Sequence, residues 1–285
     1  MTASRDVKHR MVAHSAPPSR ATHLWKVARA LIPSKMRVVV RRVGQYVHSR
    51  NLREDDVLLL SYPKSGSTWL RTMIAHTQAG IEVPADRLAL WVPPIHMARS
   101  EAQVAPRVVR SHDSLNTPGF GTAEKKIVLV RDPRALVTSF SAHEARRVRG
   151  KSVRNAASLL LSDGFNDLGS WKTHILALKS KIDKEKIHVV RYEDLKALPD
   201  VELSKIMDFI GISVEDEIIR QSIIWAQPDR MRHRRMEDGL ENWESGESDI
   251  RNVSAVKWRE ECPADVQKLL CSRLGPELEF LGYEQ

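Results

Sequence analysis

The chain has 285 residues with 45 Lys and Arg against 36 Asp and Glu, a formal charge of +9, and 42% hydrophobic residues. That is apolar material for one large α/β domain or two small ones, and the positive balance points to anionic partners, whether nucleic acid, lipid or a polyanionic small molecule. The only two cysteines, Cys262 and Cys271, exclude a disulfide scaffold and a cysteine-based zinc site and fit a reducing, cytoplasmic setting.

Residues 1–20 are polar, basic and aperiodic and read as disordered. Neither there nor later does an apolar stretch reach signal-peptide or membrane-spanning length. Residues 21–50 form a basic amphipathic segment, with Leu, Val and Trp among Lys and Arg from Leu24 to Val47. It reads either as a helix packed on the domain and broken at Pro33, or as a segment lying on the inner face of an anionic membrane.

Asp56–Tyr62 is a nearly unbroken apolar run, as a buried parallel strand requires. A turn of small residues follows, Pro63-Lys64-Ser65-Gly66-Ser67-Thr68. Then Leu70, Met73, Ile74 and Thr77 recur at helical spacing, with Gly80 placed as a C-terminal cap. A loop between strand and helix turns its amides toward one point at the positive end of the helix, which suits a phosphate-like anion. Val83–Ala105 has no period and reads as an irregular wall for a substrate. Pro106–His112 reads as a short strand ending in a histidine, and Lys125–Val130 as a buried strand ending at Arg131. Asp132 and Pro133 read as N-cap and first residue of a helix carrying Leu136, Ser139, Phe140 and His143.

Further on, Gly169-Ser170-Trp171 opens a helix with Trp171, Ile175 and Leu178 on one face. Ile187–Val190 is another strand, closing on Arg191-Tyr192-Glu193-Asp194-Leu195. A helix from Pro199 to Ile210 stops at Gly211; another starts after Ser213 with Asp216 as capping partner. Met231–Ser248 reads as a mobile charged segment and Pro263–Leu274 as the last helix. Alternating strands and helices predict a single α/β domain, a central parallel sheet flanked by helices and joined by right-handed crossovers. Lys64, His112 and Arg131 then fall on the carboxyl edge of the sheet, where such folds bind ligands.

The loop is not a Walker A motif, because Lys64 precedes Gly66 and neither GKS nor GKT occurs. Tyr62-Pro63-Lys64-Ser65-Gly66-Ser67-Thr68-Trp69 instead resembles the 5′-phosphosulfate loop of sulfotransferases that use 3′-phosphoadenosine 5′-phosphosulfate (PAPS). The resemblance runs from about residue 55 to the C-terminus, makes 51–285 a sulfotransferase domain with P-loop-kinase-like architecture, and implies roles for individual residues. Lys64 neutralises charge on the leaving phosphate, and Ser65, Gly66, Ser67 and Thr68 hold the 5′-phosphate. Arg131 and Ser139, eight positions apart, match the pair that holds the 3′-phosphate, although the family's following Asp is here Ala135. Trp69 and Tyr192 match residues beside the adenine.

Pro106–His112 resembles the family strand ending in Lys-Thr-His, which makes His112 the base for the acceptor hydroxyl, ahead of His143 and His174. Arg251 and Trp258 keep the spacing of a further 3′-phosphate segment, but Asn252 and Val253 stand where its glycine-bearing neighbours belong. The implied reaction is metal-free sulfuryl transfer to a hydroxyl, or less readily an amine, of a small aromatic or natural-product alcohol or a carbohydrate, with no nucleic acid partner. Its product is 3′-phosphoadenosine 5′-phosphate (PAP). Trp91, Phe165 and residues 230–248 are candidate acceptor walls. Two other readings are a nucleotide or small-molecule kinase and a non-catalytic module that binds nucleotide or nucleic acid.

Overall fold

In the computed structural model, which describes residues 43–98, 105–147, 152–162, 164–165, 168–237 and 257–284, the chain is built on four parallel strands. They are β1 (Val57–Ser61), β2 (Val108–Ser111), β3 (Lys125–Val130) and β4 (Lys186–Arg191), in the order β2-β1-β3-β4. Each strand is a run of β-branched and leucine side chains pointing alternately to two faces. Leu58, Leu60, Val109, Val128 and Val130 enter one core, and Val57, Leu59, Val108, Ile127 and Leu129 the other.

Helices cover both faces. Helix α1 (Ser67–Ala79), between β1 and β2, buries Leu70, Met73 and Ile74 in the second core. Helices α2 (Pro133–Arg147), α3 (Val153–Leu161) and α4 (Trp171–Lys181), between β3 and β4, supply Leu136, Leu160, Trp171 and Leu178 to the first. The path steps from β1 one way to β2 and from β3 the other way to β4, so crossovers of one hand lay their helices on opposite faces. This leaves a crevice at the carboxyl ends of β1 and β3, the switch point where open α/β sheets bind ligands.

Several local expectations hold. Gly80 caps α1 at φ 64°, and Asp132 accepts the amide of Arg134 at 2.8 Å at the start of α2. Ser170 accepts the amide of Thr173 at the start of α4. After β4 come α5 (Tyr192–Ala197) and α6 (Pro199–Ile210), the latter closed by Gly211.

Other expectations are corrected. Helix α7 (Asp216–Trp225) starts from Glu215 with no side-chain cap, so Ser213 and Asp216 form no capping box. Residues 231–237, the described part of the segment expected to be mobile, lie in helix α8 (Pro228–Glu237), whose Arg230 and Arg234 reach Glu82 from consecutive turns. Tyr192–Leu195, read as the close of a strand, lie instead in helix α5. The last helix, α9 (Ala264–Phe280), runs six residues past Leu274 through Pro276, because Leu270, Leu274 and Leu278 make one buried stripe. The irregular stretch contains short helical pieces at Ala85–Arg87, Leu88–Trp91 and Ile95–Met97. Residues 1–42, and with them most of the basic amphipathic segment, lie outside the described residues, as do Arg251 and residues 238–248.

Candidate active site

The loop after β1 is bent by two left-handed residues, Lys64 at φ 71° and Gly66 at φ 93°. A lysine in that region carries roughly 1–2 kcal/mol of backbone strain, which the surroundings must hold in place. They do so from β3: Arg131 donates from Nη1 to the carbonyl of Lys64 at 2.9 Å, and its guanidinium lies 4.1 Å above the ring of Tyr192. Tyr192 in turn covers Gly66 so closely that a Cβ there would meet its ring carbons at 2.6 Å. Gly66 is therefore required twice, by its torsion and by the ring above it.

Below the loop, the Tyr62 hydroxyl donates to the carbonyl of Gly169 and accepts the amide of Phe165, both at 3.1 Å, fastening the loop to the start of α4. Burial pushes the Tyr62 phenol well above its ordinary range, so it stays protonated as a donor. Glu193 accepts the amide of Asp132 and the hydroxyl of Tyr283, tying the turn after Arg131 to α5; burial raises its carboxyl, with the hydrogen bonds pulling the other way.

What the loop leaves unsatisfied defines its use. Among the described residues no acceptor meets the amides of Gly66, Ser67 or Thr68, and α1 has no acidic residue in its first turn. Ser65 Oγ, Trp69 Nε1 and Arg131 Nε are buried without a hydrogen-bond partner. Buried polar groups are nearly always satisfied, so orphans gathered around one helix start mark the place of an anionic, hydrogen-bonding ligand. Trp69 meets Tyr192 edge to face at 6.0 Å, with Lys196 5.3 Å from its ring, which gives the edge of the cradle an aromatic wall.

His112 lies one residue beyond β2, half-buried. Its Nδ1 is 2.9 Å from the carbonyl of Ser61, so Nδ1 carries the proton and donates. Nε2 then holds the lone pair, and Arg110 Nη1 donates to it at 2.9 Å. The ring thus has the tautomer a base needs, with its basic nitrogen currently covered by an arginine.

The structure brings Lys64, Ser65, Gly66, Ser67, Thr68, Trp69, His112, Arg131 and Tyr192 to the carboxyl edge of the sheet. Ser139 lies half-buried in the second turn of α2 and Ala135 is buried in the core. His174 packs against Tyr62 at 5.0 Å and bonds the carbonyl of Leu168, so its work is structural. Phe165, expected in an acceptor wall, is fully buried and stacked on Phe140 at 3.8 Å, and belongs to the core. Ser61, Arg71, Arg110 and Glu193 were not singled out by sequence. Arg110 had a signal, since a residue two before His112 on a strand faces the same side.

A parallel sheet with unpaired amides at its switch point and a positioned imidazole beside them suits group transfer from an anionic donor. Comparison with known proteins gives the class. The sulfotransferase domain family matches residues 54–272, and the chain belongs to that family. It is a sulfotransferase, an enzyme that transfers a sulfuryl group from PAPS. Sulfotransferase 1C2 of Rattus norvegicus is 26% identical over 209 residues, covering 65% of this chain and 68% of the relative. Sulfotransferase 6B1 of Danio rerio is 30% identical over 179 residues, covering 58% and 60%. Among solved structures, retinol dehydratase in complex with androsterone and inactive cofactor PAP superposes with a TM-score of 0.66 at 19% identity, covering 85% of both chains. Mouse sulfotransferase SULT7A1 complexed with PAP gives 0.62 at 19%, covering 80% of this chain and 84% of that one. The expected P-loop-kinase-like architecture holds.

Proposed function

We propose that this chain moves the sulfuryl group of PAPS to a hydroxyl of a small-molecule acceptor, using the residues gathered at the switch point. The observation that carries the assignment is the loop itself. Its three unbonded amides, the orphaned Ser65 Oγ and Arg131 Nε, and the Tyr192 ring over Gly66 suit a ligand that is anionic at one end and aromatic at the other.

In this reading the amides of residues 66–68, with Ser65, Ser67 and Thr68, hold the 5′-phosphate, and Lys64 neutralises the charge that grows on its bridging oxygen. Arg131 takes the 3′-phosphate, with Ser139 and Arg251 as further donors, while Trp69 and Tyr192 flank the adenine. His112 Nε2 accepts the proton of the acceptor hydroxyl as the new oxygen–sulfur bond forms and the bond to phosphate breaks. For that, Arg110 must leave Nε2. The protein's share is alignment and charge stabilisation, as in phosphoryl transfer.

A hydroxyl acceptor, rather than an amine, has support from the androsterone and retinol bound by the structurally similar retinol dehydratase. A carbohydrate acceptor is the alternative. The two free cysteines support a reducing, cytoplasmic setting, and among the described residues no helix is long and apolar enough to cross a membrane. The site residues are tested together. Lys64→Ala should lower turnover about 10²–10³-fold and His112→Ala about 10²–10⁴-fold, in labelled-sulfate transfer with the thermal unfolding midpoint held near wild type. Full turnover in His112→Ala would remove His112 as the base.

A further inference from the structure

Beside His112 lies a second group of basic side chains, to which the proposed donor site assigns no role. Arg71 donates from Nε to the carbonyl of Val92 at 2.7 Å, and the amide of Arg110 donates to the carbonyl of Pro93 at 2.9 Å. Both arginines are thus fixed to the same short segment, one from α1 and one from β2. Next to it His96 meets His48 edge to face at 6.2 Å. Arg110 Nε and His48 Nδ1 are buried without partners. Among the described residues no carboxylate pairs with Arg71 or Arg110.

Burial acts on Arg71, Arg110 and His96, and neighbouring positive charge adds to it at Arg71 and His96. Burial, then Arg110 alongside, pushes Arg71 down to about 9, and burial lowers Arg110. His96 is lowered by burial first and then by His48, Arg110 and Arg71. Guanidinium groups do not give up their protons near neutrality, so the positive charge stays. Elsewhere Asp56 and Asp132 neutralise Arg107 and Arg134. Here no carboxylate among the described residues does so, and the two cations suit an anion that arrives from outside.

We infer that the acceptor carries, besides its hydroxyl, an anionic group such as a carboxylate that binds Arg71 and Arg110. The inference rests on the sulfotransferase reading above and names its substrate class. It also explains how the base is uncovered: a carboxylate is a stronger partner for Arg110 than an imidazole lone pair, so acceptor binding would draw the guanidinium off His112 Nε2.

The test is a panel of hydroxy acids on phenolic, benzylic and alkyl scaffolds, each beside its methyl ester, with PAPS as donor. At least one acid should exceed its ester tenfold or more in kcat/KM, chiefly through KM. That preference should collapse toward unity in Arg71→Met and be partly restored in Arg71→Lys. In the wild type, which needs no variant to fold, added salt should raise KM for the acid and leave the ester unmoved. The inference is overturned if no scaffold prefers the acid, if the preference survives Arg71→Met, or if Arg71→Met changes only the KM for PAPS. Thermal shift with PAP separates the two levels: no shift sinks the donor site and this inference together, whereas a normal shift without acid preference sinks this inference alone.

Discussion

Two sets of arginines fixed within the fold divide this molecule. Arg107 and Arg134 are closed inside the protein by carboxylates. Arg107 makes a two-point contact with Asp56 at 2.7 and 2.6 Å and also bonds the carbonyls of Ala98 and Asn51. Arg134 grips Asp132 at 2.8 Å and reaches the carbonyl of Glu284 and the ring of Trp258. Arg71, Arg110 and Arg131 are equally fixed, but by carbonyls, an imidazole and a tyrosine ring. The first set is electrically complete without a ligand. The second is positioned but has no carboxylate partner among the described residues, at the end of the sheet where the chemistry is proposed to occur. In this reading, partner type separates the arginines that hold the fold from those that await an anion.

The largest effect should come from breaking the first set. Arg107→Ala leaves Asp56, 1% exposed, as an uncompensated buried charge and unties residues 51, 56 and 98. A loss of about 3–5 kcal/mol in urea unfolding is expected, with PAP affinity unchanged in the fraction that stays folded. A loss under about 1 kcal/mol would mean that the carboxylate pair contributes little to the fold. The second set should behave in the opposite way. Arg131→Ala removes a cation with no carboxylate partner among the described residues, so stability should fall by only about 1–2 kcal/mol, from the lost bond to Lys64 and the lost contact with Tyr192, while PAP affinity falls about 100-fold, read by titration calorimetry. A variant that loses more than about 3 kcal/mol, while the fraction that stays folded binds PAP normally, would reverse the division.

The same division explains what could be read from sequence. The unit β1, loop and α1 was legible because each part is local: an apolar run, a turn of small residues, and a periodic helix ending at Gly80. Arg131 was legible because a strand ended there with a helix cap behind it. Arg71 and Arg110 were not, since their meaning depends on β2 lying next to β1 and on residues 92–93 passing over both. Sequence spacing holds none of that. Phe165 was misread for the same reason, as a large aromatic in a loop looks like a wall until its partner Phe140 is known. The final helix, read as ending at Leu274, runs on through Pro276 because tertiary packing buries Leu278 on the same stripe as Leu270 and Leu274.

His76 shows a third way to bury an ionisable group and gives the smallest of these effects. It lies 2% exposed in α1, its Nδ1 accepting the amide of Val83 at 2.9 Å and its ring edge-on to Trp225 at 5.7 Å. An imidazole, unlike a guanidinium, can shed its proton. Burial pushes His76 down to about 4, Glu82 opposing and Arg230 assisting. Because the folded value lies below the ordinary 6.5, folding favours the neutral ring. Its contribution is complete above pH 6.5 and is lost as pH falls toward 4, where the unfolded chain takes up the proton first. Glu82 stays charged across that window, since Arg230 and Arg234 hold its carboxyl down at about 2. The wild type should therefore lose on the order of 2 kcal/mol more than His76→Gln between pH 7 and pH 4, measured by urea unfolding at each pH. Gln can still accept the Val83 amide, so the difference isolates the proton; parallel pH curves for the two proteins would show that His76 is not held neutral by the fold.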